Sequence, residues 1–214
     1  MTVITCEQLP ELFAAVGGLF TEKRDELCEM DAQMGDGDLG LTMSKGYCAL
    51  PQLLRDNMEP GDIGKTLMKG GMKMSSVVPS TMGTLMASGL MNAGKVLKGT
   101  EQLTSAQEAQ LFEAYLEGVK NRGKAEVGDK TFLDGLAPAV KVLAEAAQAG
   151  PIGAEAAQAA ADAAWKAFEN TRGMLARHGR MAIRGEASRE LLDPGAAVAA
   201  LLMKGYAEFK ADSE

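Results

Sequence analysis

Histidine occurs once in this chain, at His178, and cysteine three times, at Cys6, Cys28 and Cys48. A single histidine excludes a His-rich metal centre, and no local serine-nucleophile signature accompanies it. An odd number of thiols without C-x-x-C spacing excludes a disulfide framework and a zinc cluster. All three cysteines are expected to be buried thiols in a reducing compartment. Aromatic residues are only 5% of the chain, so the core must be built from Ala, Leu and the 14 methionines, side chains that lose little rotamer freedom in a helix. Positive charge is also short: 22 Lys and Arg against 29 Asp and Glu leave a net charge of -7, which argues against nucleic acid or an anionic membrane as partner. The start, MTVITCEQLPELF, lacks a basic region followed by a long apolar run, and no apolar stretch is long enough to span a bilayer. A cytoplasmic location is the expectation.

The 214 residues carry 46% hydrophobic and 24% charged residues, a balance that suits a single domain over 1–214. Apolar residues recur at helical spacing almost everywhere, and a period of two is nearly absent. Eight helices are expected. The first spans about 7–30 and the second about 39–55; after Pro60-Gly61 a third runs to about 74, and a fourth covers 82–97. Thr104 or Ser105 caps a fifth that Gly123 ends; a sixth starts within Asp129 to Thr131, with Pro138 kinking it unless it begins later. An alanine-rich seventh covers about 152–176, and the last runs from Asp193-Pro194 to about 211. The implied fold is all-α, an eight-helix antiparallel up-and-down barrel or bundle with loops converging at one rim.

Between the first two helices lies Met30-Asp31-Ala32-Gln33-Met34-Gly35-Asp36-Gly37-Asp38-Leu39-Gly40. Glycine permits turns tight enough to aim Asp31, Asp36 and Asp38 at one point, and like charges held together call for a cation between them. Carboxylates without His or Cys are hard oxygen ligands suited to magnesium or calcium. An EF-hand is excluded, because the twelfth residue from Asp31 is Thr42 and from Asp36 is Tyr47, not Glu. The bland alternative is a solvated acidic turn with Asp38 capping the next helix.

Gly61-Asp62-Ile63-Gly64-Lys65-Thr66 imitates a P-loop but has Glu59 where its first glycine belongs, so Lys65 and Thr66 are read as first-turn helix residues. The tract around Ser80, Thr81 and Gly83 can hold phosphate oxygens or merely cap a helix. Arg177-His178-Gly179-Arg180 is a basic island, in which the arginines are better phosphate partners than the lone histidine.

Three blocks together resemble the L subunit family of dihydroxyacetone kinases: Asp31 with Gly35-Asp36-Gly37-Asp38; Arg122 to Glu126 with Gly128-Asp129-Lys130-Thr131; and Ala176 to Arg180 with Gly185-Glu186 and Asp193-Pro194-Gly195-Ala196. The resemblance implies ADP or ATP at one rim of a helical barrel, with two magnesium ions on Asp31, Asp36 and Asp38. It implies phosphate-side contacts from Leu39, Gly40, Leu41 and Thr42, further nucleotide contacts from Thr81 and Met82, a base region at Gly123 and Phe132, and a closing loop of Arg180, Asp193, Pro194 and Gly195. It also implies that a K-type partner subunit holds the ketose and the general base, leaving this chain without a catalytic residue and inactive alone, and that a phosphotransferase-system M-type subunit can recharge the nucleotide. Two departures stand beside the phosphates: Leu39 replaces a polar residue, and Pro79-Ser80-Thr81-Met82-Gly83 replaces a Gly-Gly-Ala-Ser-Gly tract. They admit a kinase for a four-carbon ketose as an alternative. A nucleotide-loaded module signalling to a transcription factor, and a purely structural helical domain, are the other readings.

Overall fold

The structure is a computed structural model that describes residues 3–213. It is all-α apart from one short ladder, in which β1 (Ile4–Thr5) pairs antiparallel with β2 (Gln102–Leu103), Ile4 opposite Leu103. Nine α-helices are present among the described residues: α1 (Leu9–Glu22), α2 (Arg24–Ala32), α3 (Leu39–Asp56), α4 (Ile63–Val77), α5 (Thr81–Val96), α6 (Ser105–Gly123), α7 (Phe132–Ala149), α8 (Ala154–Glu169) and α9 (Pro194–Asp212). A 3-10 segment over Arg180–Glu190 is interrupted at Gly185, whose φ of 54° is left-handed.

Local chemistry explains most of the helix starts. The side chains of Asp62, Ser80 and Asp193 accept backbone N–H groups at the starts of α4, α5 and α9. Thr104 with Gln107, and Thr131 with Asp134, form reciprocal capping boxes on α6 and α7. The false P-loop is the capped start of α4: Asp62 Oδ1 accepts from Lys65 N at 2.9 Å, and Gly64 lies against α5 so tightly that a Cβ there would stand 2.3 Å from Lys98 N.

Three boundaries depart from the sequence expectation. The first helix breaks at Lys23, whose φ and ψ of -94° and 11° end α1 and let α2 leave at a new angle, so nine helices replace eight. The alanine-rich helix stops at Glu169 instead of 176, because the Thr171 hydroxyl donates to Phe168 O and accepts from Asp193 N, and Gly173 takes a φ of 93°. Between the last two expected helices, residues 177–193 contain the 3-10 segment. Pro138 sits within α7, which continues unbroken past it. Of the thiols, Cys6 is buried, but Cys28 is half-buried and Cys48 exposed, with Cys48 Sγ 3.1 Å from Thr21 Oγ1.

Each helix from α3 onward packs on its successor, α1 packs on α3, and α9 returns to α1, so the neighbours close a cycle that leaves α2 outside it. Helix α9 also packs on α7, and residues 196–203 are buried without a break, so it has no solvent face over that stretch. The Tyr47 and Tyr115 hydroxyls meet at 2.8 Å in the interior, where burial pushes both phenol pKa values up. No helix of the described residues is long and apolar enough to cross a membrane.

Candidate functional site

The acidic loop joins the end of α2 to the start of α3. Asp31 lies in the last turn of α2, where the helix dipole disfavours an anion and no basic residue offsets it. Its main-chain carbonyl accepts from Met34 N at 3.0 Å and Gly35 N at 2.5 Å, which curls the chain back. Gly37 then takes a φ of 73°, and Asp38 N donates to Asp31 Oδ2 at 3.1 Å. These turns bring one carboxylate oxygen each of Asp31, Asp36 and Asp38 within 4.8 Å of one another.

Asp38 holds the N-cap position of α3 but makes no side-chain cap hydrogen bond, so its carboxylate serves the cluster instead of the helix. Desolvation, with the neighbouring Asp36 and Asp31 charges, raises the Asp38 pKa. Asp36 moves the opposite way: the hydrogen bond from Arg180, whose Nη2 lies 2.6 Å from Asp36 Oδ2, lowers its pKa. One guanidinium against three acids leaves the focus anionic. The donor set is all oxygen, convergent and accessible, and it fits a hard divalent cation such as magnesium.

The cluster occupies one side of a cavity of about 1160 Å³. Of the residues the sequence nominated, Asp31, Asp36, Asp38, Leu39, Thr42, Thr81, Met82, Gly123, Phe132, Arg180, Asp193, Pro194 and Gly195 line it. Gly40 and Leu41 do not. Gly40 faces α2, where a Cβ would fall 1.9 Å from Arg24 O, and the Leu41 side chain is exposed. Ser80 caps α5 by accepting from Gly83 N at 3.0 Å and still faces the cavity, so the capping and cavity readings of that tract coexist. Val119, Leu85, Ala125, Phe132 and Leu133 add apolar lining to the same cavity, a mixture suited to a ligand that carries both a flat ring and phosphates.

The wall beside the acidic loop comes from the segment before α9, through His178, Gly179, Arg180, Met181 and Asp193. Asp193 caps α9 through a 2.6 Å bond from Ala196 N, and burial raises its pKa to about 7. The polar loop before α7 holds this wall in place. Asp129 Oδ2 stands 3.1 Å from His178 Nε2, and Asp129 O accepts from Arg177 N at 3.1 Å. Lys130 is 1% exposed and donates into the same wall. Neither role was visible in sequence, where Asp and Lys in a polar loop read as solvated. The one available signal was the pairing of the Gly128–Thr131 block with the Arg177–Arg180 block. Met34, Ala176 and Met181 form a small apolar cluster, apart from the main core, that fastens the wall to the acidic loop.

Comparison with known proteins follows the same outline. The family model described as the DAK2 domain matches residues 33–208, beginning just after Asp31. The ADP-binding subunit DhaL of the PEP-dependent dihydroxyacetone kinase of Escherichia coli (strain K12) is 32% identical over 92% of this chain and 93% of its own length. The L-erythrulose 1-kinase of Mycolicibacterium smegmatis is 34% identical over 86% of this chain, which spans 32% of that protein. The crystal structure of the dihydroxyacetone kinase from C. freundii in complex with AMP-PNP and Mg2+ superimposes with a TM-score of 0.69 at 27% identity, covering 94% of this chain and 33% of that one.

Proposed function

Because the chain belongs to the DAK2 domain family, we propose that it is the nucleotide-binding subunit of a kinase for a small ketose, of the dihydroxyacetone type. The observation that carries this reading is the convergence of Asp31, Asp36 and Asp38 within 4.8 Å at the edge of a cavity large enough for a nucleotide. A nucleotide polyphosphate is repelled by three carboxylates unless divalent cations stand between them. Two magnesium ions held by these aspartates would neutralise phosphate charge and polarise the phosphoryl group being transferred.

The protein's own groups divide the remaining work. Asp31, Asp36 and Asp38 present oxygens from a turn fixed by the Asp31 carbonyl and the left-handed Gly37. Arg180 brings a positive charge to the same edge, where it can offset charge developing on the phosphates. The apolar lining of Val119, Leu85 and Phe132 takes the base and excludes water, while Thr81, Met82 and residues 193–195 shape the intervening stretch. The printed name of the Escherichia coli relative, an ADP-binding subunit of a kinase, supports a division of labour in which the base and the ketose belong to a K-type partner, with ATP or a phosphotransferase-system M-type subunit as phosphoryl source.

A four-carbon ketose is a second reading, favoured by the identity to the L-erythrulose 1-kinase and to the L-erythrulose kinase of Pectobacterium atrosepticum. The deciding experiment is titration calorimetry of ADP with and without magnesium. Binding is expected only with the metal, and Asp36→Asn should weaken it at least about tenfold. Equal binding in the presence of a chelator would refute the metal-bridged site.

A further inference from the structure

The Lys130 side chain is buried, and the Asp193 carboxylate is the opposite charge that acts on it. The hydrogen-bond partners of the Lys130 ammonium are main-chain carbonyls: Ser188 O at 2.5 Å, Leu191 O at 2.6 Å and Met174 O at 3.4 Å. An ammonium has three N–H donors, and here each has one acceptor. The acceptors lie at the two ends of the segment 174–191, so this one cation reaches both feet of a loop whose middle carries His178, Arg180 and Met181, beside the hydrogen bonds that join Gly173 to Arg189 and Arg172 to Glu190 at the same feet. The lysine itself stands in a left-handed conformation, φ 61°, directly before the Thr131 cap of α7, a strained position that persists only where its surroundings demand it. Burial also lowers its pKa, so the neutral form is easier to reach than in water, while the Asp193 charge opposes that shift.

The tied segment has little stability of its own. It is 3-10 in character and broken at Gly185, and its apolar contacts form a small cluster separate from the main core. Its other ties lie mostly near the surface. Asp129 holds Arg177 and His178, Arg180 pairs with Asp36, Arg184 Nη2 donates to Gln33 O at 3.0 Å, Ser188 Oγ accepts from Ala176 N at 3.1 Å, Gly173 and Arg189 exchange two hydrogen bonds, and Arg172 Nη1 donates to Glu190 O at 3.0 Å. Lys130 is thus placed to decide whether the wall facing the acid cluster is fixed or loose.

We propose that Lys130 is a positioning residue of this site: by joining both ends of the segment 174–191 it fixes Arg180 beside the acid cluster and His178 in the cavity lining, and so sets how long a magnesium-bound nucleotide stays. The inference rests on the nucleotide-binding reading above. It deepens that reading by assigning nucleotide retention to a residue that touches neither phosphate nor metal ligand.

The test uses the full chain with Lys130→Met, which keeps the stem and removes the donors. The probe is methylanthraniloyl-ADP with magnesium, chased by unlabelled ADP in a stopped-flow instrument. Release should be at least about tenfold faster, because hydrogen bonds from a charged donor are lost. Backbone hydrogen exchange of the chain without nucleotide should quicken over 174–191 and stay unchanged in α1 and α3–α6. A folded Lys130→Met chain with wild-type release, or with exchange raised evenly over all helices, overturns the proposal. If that variant does not fold, Lys130→Gln is read in the same two assays. Faster release with locally faster exchange supports the anchor, and wild-type behaviour in either assay overturns it. If the unmodified chain binds no probe, the nucleotide reading fails. The exchange experiment then decides on the anchor alone, and unchanged exchange over 174–191 overturns it.

Discussion

Asp38 separates two explanations of one acidic turn. A helix-capping aspartate costs about 1 kcal/mol when replaced by alanine. Asp38 makes no cap hydrogen bond, and its pKa is raised by desolvation and by the charges of Asp36 and Asp31. Asp38→Ala should therefore leave the melting temperature of the nucleotide-free chain unchanged or slightly higher at low salt, while removing magnesium-dependent ADP binding. A clear fall in melting temperature would restore the capping explanation. Asp193 behaves differently. Its pKa is raised from the ordinary carboxylate range to about 7 by burial, so between those values the unfolded chain gives up the proton and the folded chain keeps it. Stability from this group is full below pH ~4 and is lost as pH rises towards about 7. Asp193→Asn, neutral throughout, should gain on the unmodified chain as pH is raised over that window; parallel melting curves from pH 4 to 7 would contradict the assignment. The three metal-type aspartates were legible in sequence because glycine spacing and like charge act within eight residues. Lys130 and Asp129 were not, because burial of a polar-loop lysine depends on carbonyls 44 to 61 residues further along the chain.

At the scale of elements, caps and apolar periodicity placed most helices within a residue or two, since both are local. The start of α9 at Asp193-Pro194 and the capping box of α7 are of this kind. The break at Lys23 left no such mark: apolar residues keep helical spacing across it, and a single residue changes direction. Contacts between distant elements were equally hidden. Glu108 on α6 accepts from Lys210 Nζ at 3.1 Å and from the Tyr206 hydroxyl at 2.6 Å, both on α9, with all three side chains buried. Glu and Lys 102 residues apart read as surface charge in sequence. Removing one member strands the other in the interior. Lys210→Met should cost about 3–5 kcal/mol, and adding Glu108→Gln should restore a large part of it. Urea denaturation of the two variants measures this, and additive losses would mean the pair is not coupled.

The whole molecule is acidic, with a net charge of -7, and its cavity places three carboxylates against one arginine. Such a chain repels free nucleotide at long range and attracts divalent cations. Metal and nucleotide should consequently stabilise it together far more than either does alone, because each offsets the charge that opposes the other. With ligand a hundredfold above its dissociation constant, mass action contributes about 2.7 kcal/mol, or roughly 5–10 °C in melting temperature for a chain of this size. Magnesium alone should give a small rise by relieving repulsion among Asp31, Asp36 and Asp38, and ADP with a chelator should give none. On the proposed division of labour the group that takes the hydroxyl proton lies on the partner, so the same chain, saturated with magnesium and ATP, should leave dihydroxyacetone and erythrulose unphosphorylated until a ketose-binding subunit is added. Sugar phosphate formed by the purified chain alone would place the base in this molecule and undo the division of labour. An equal thermal shift from ADP without metal would undo the electrostatic account beneath it.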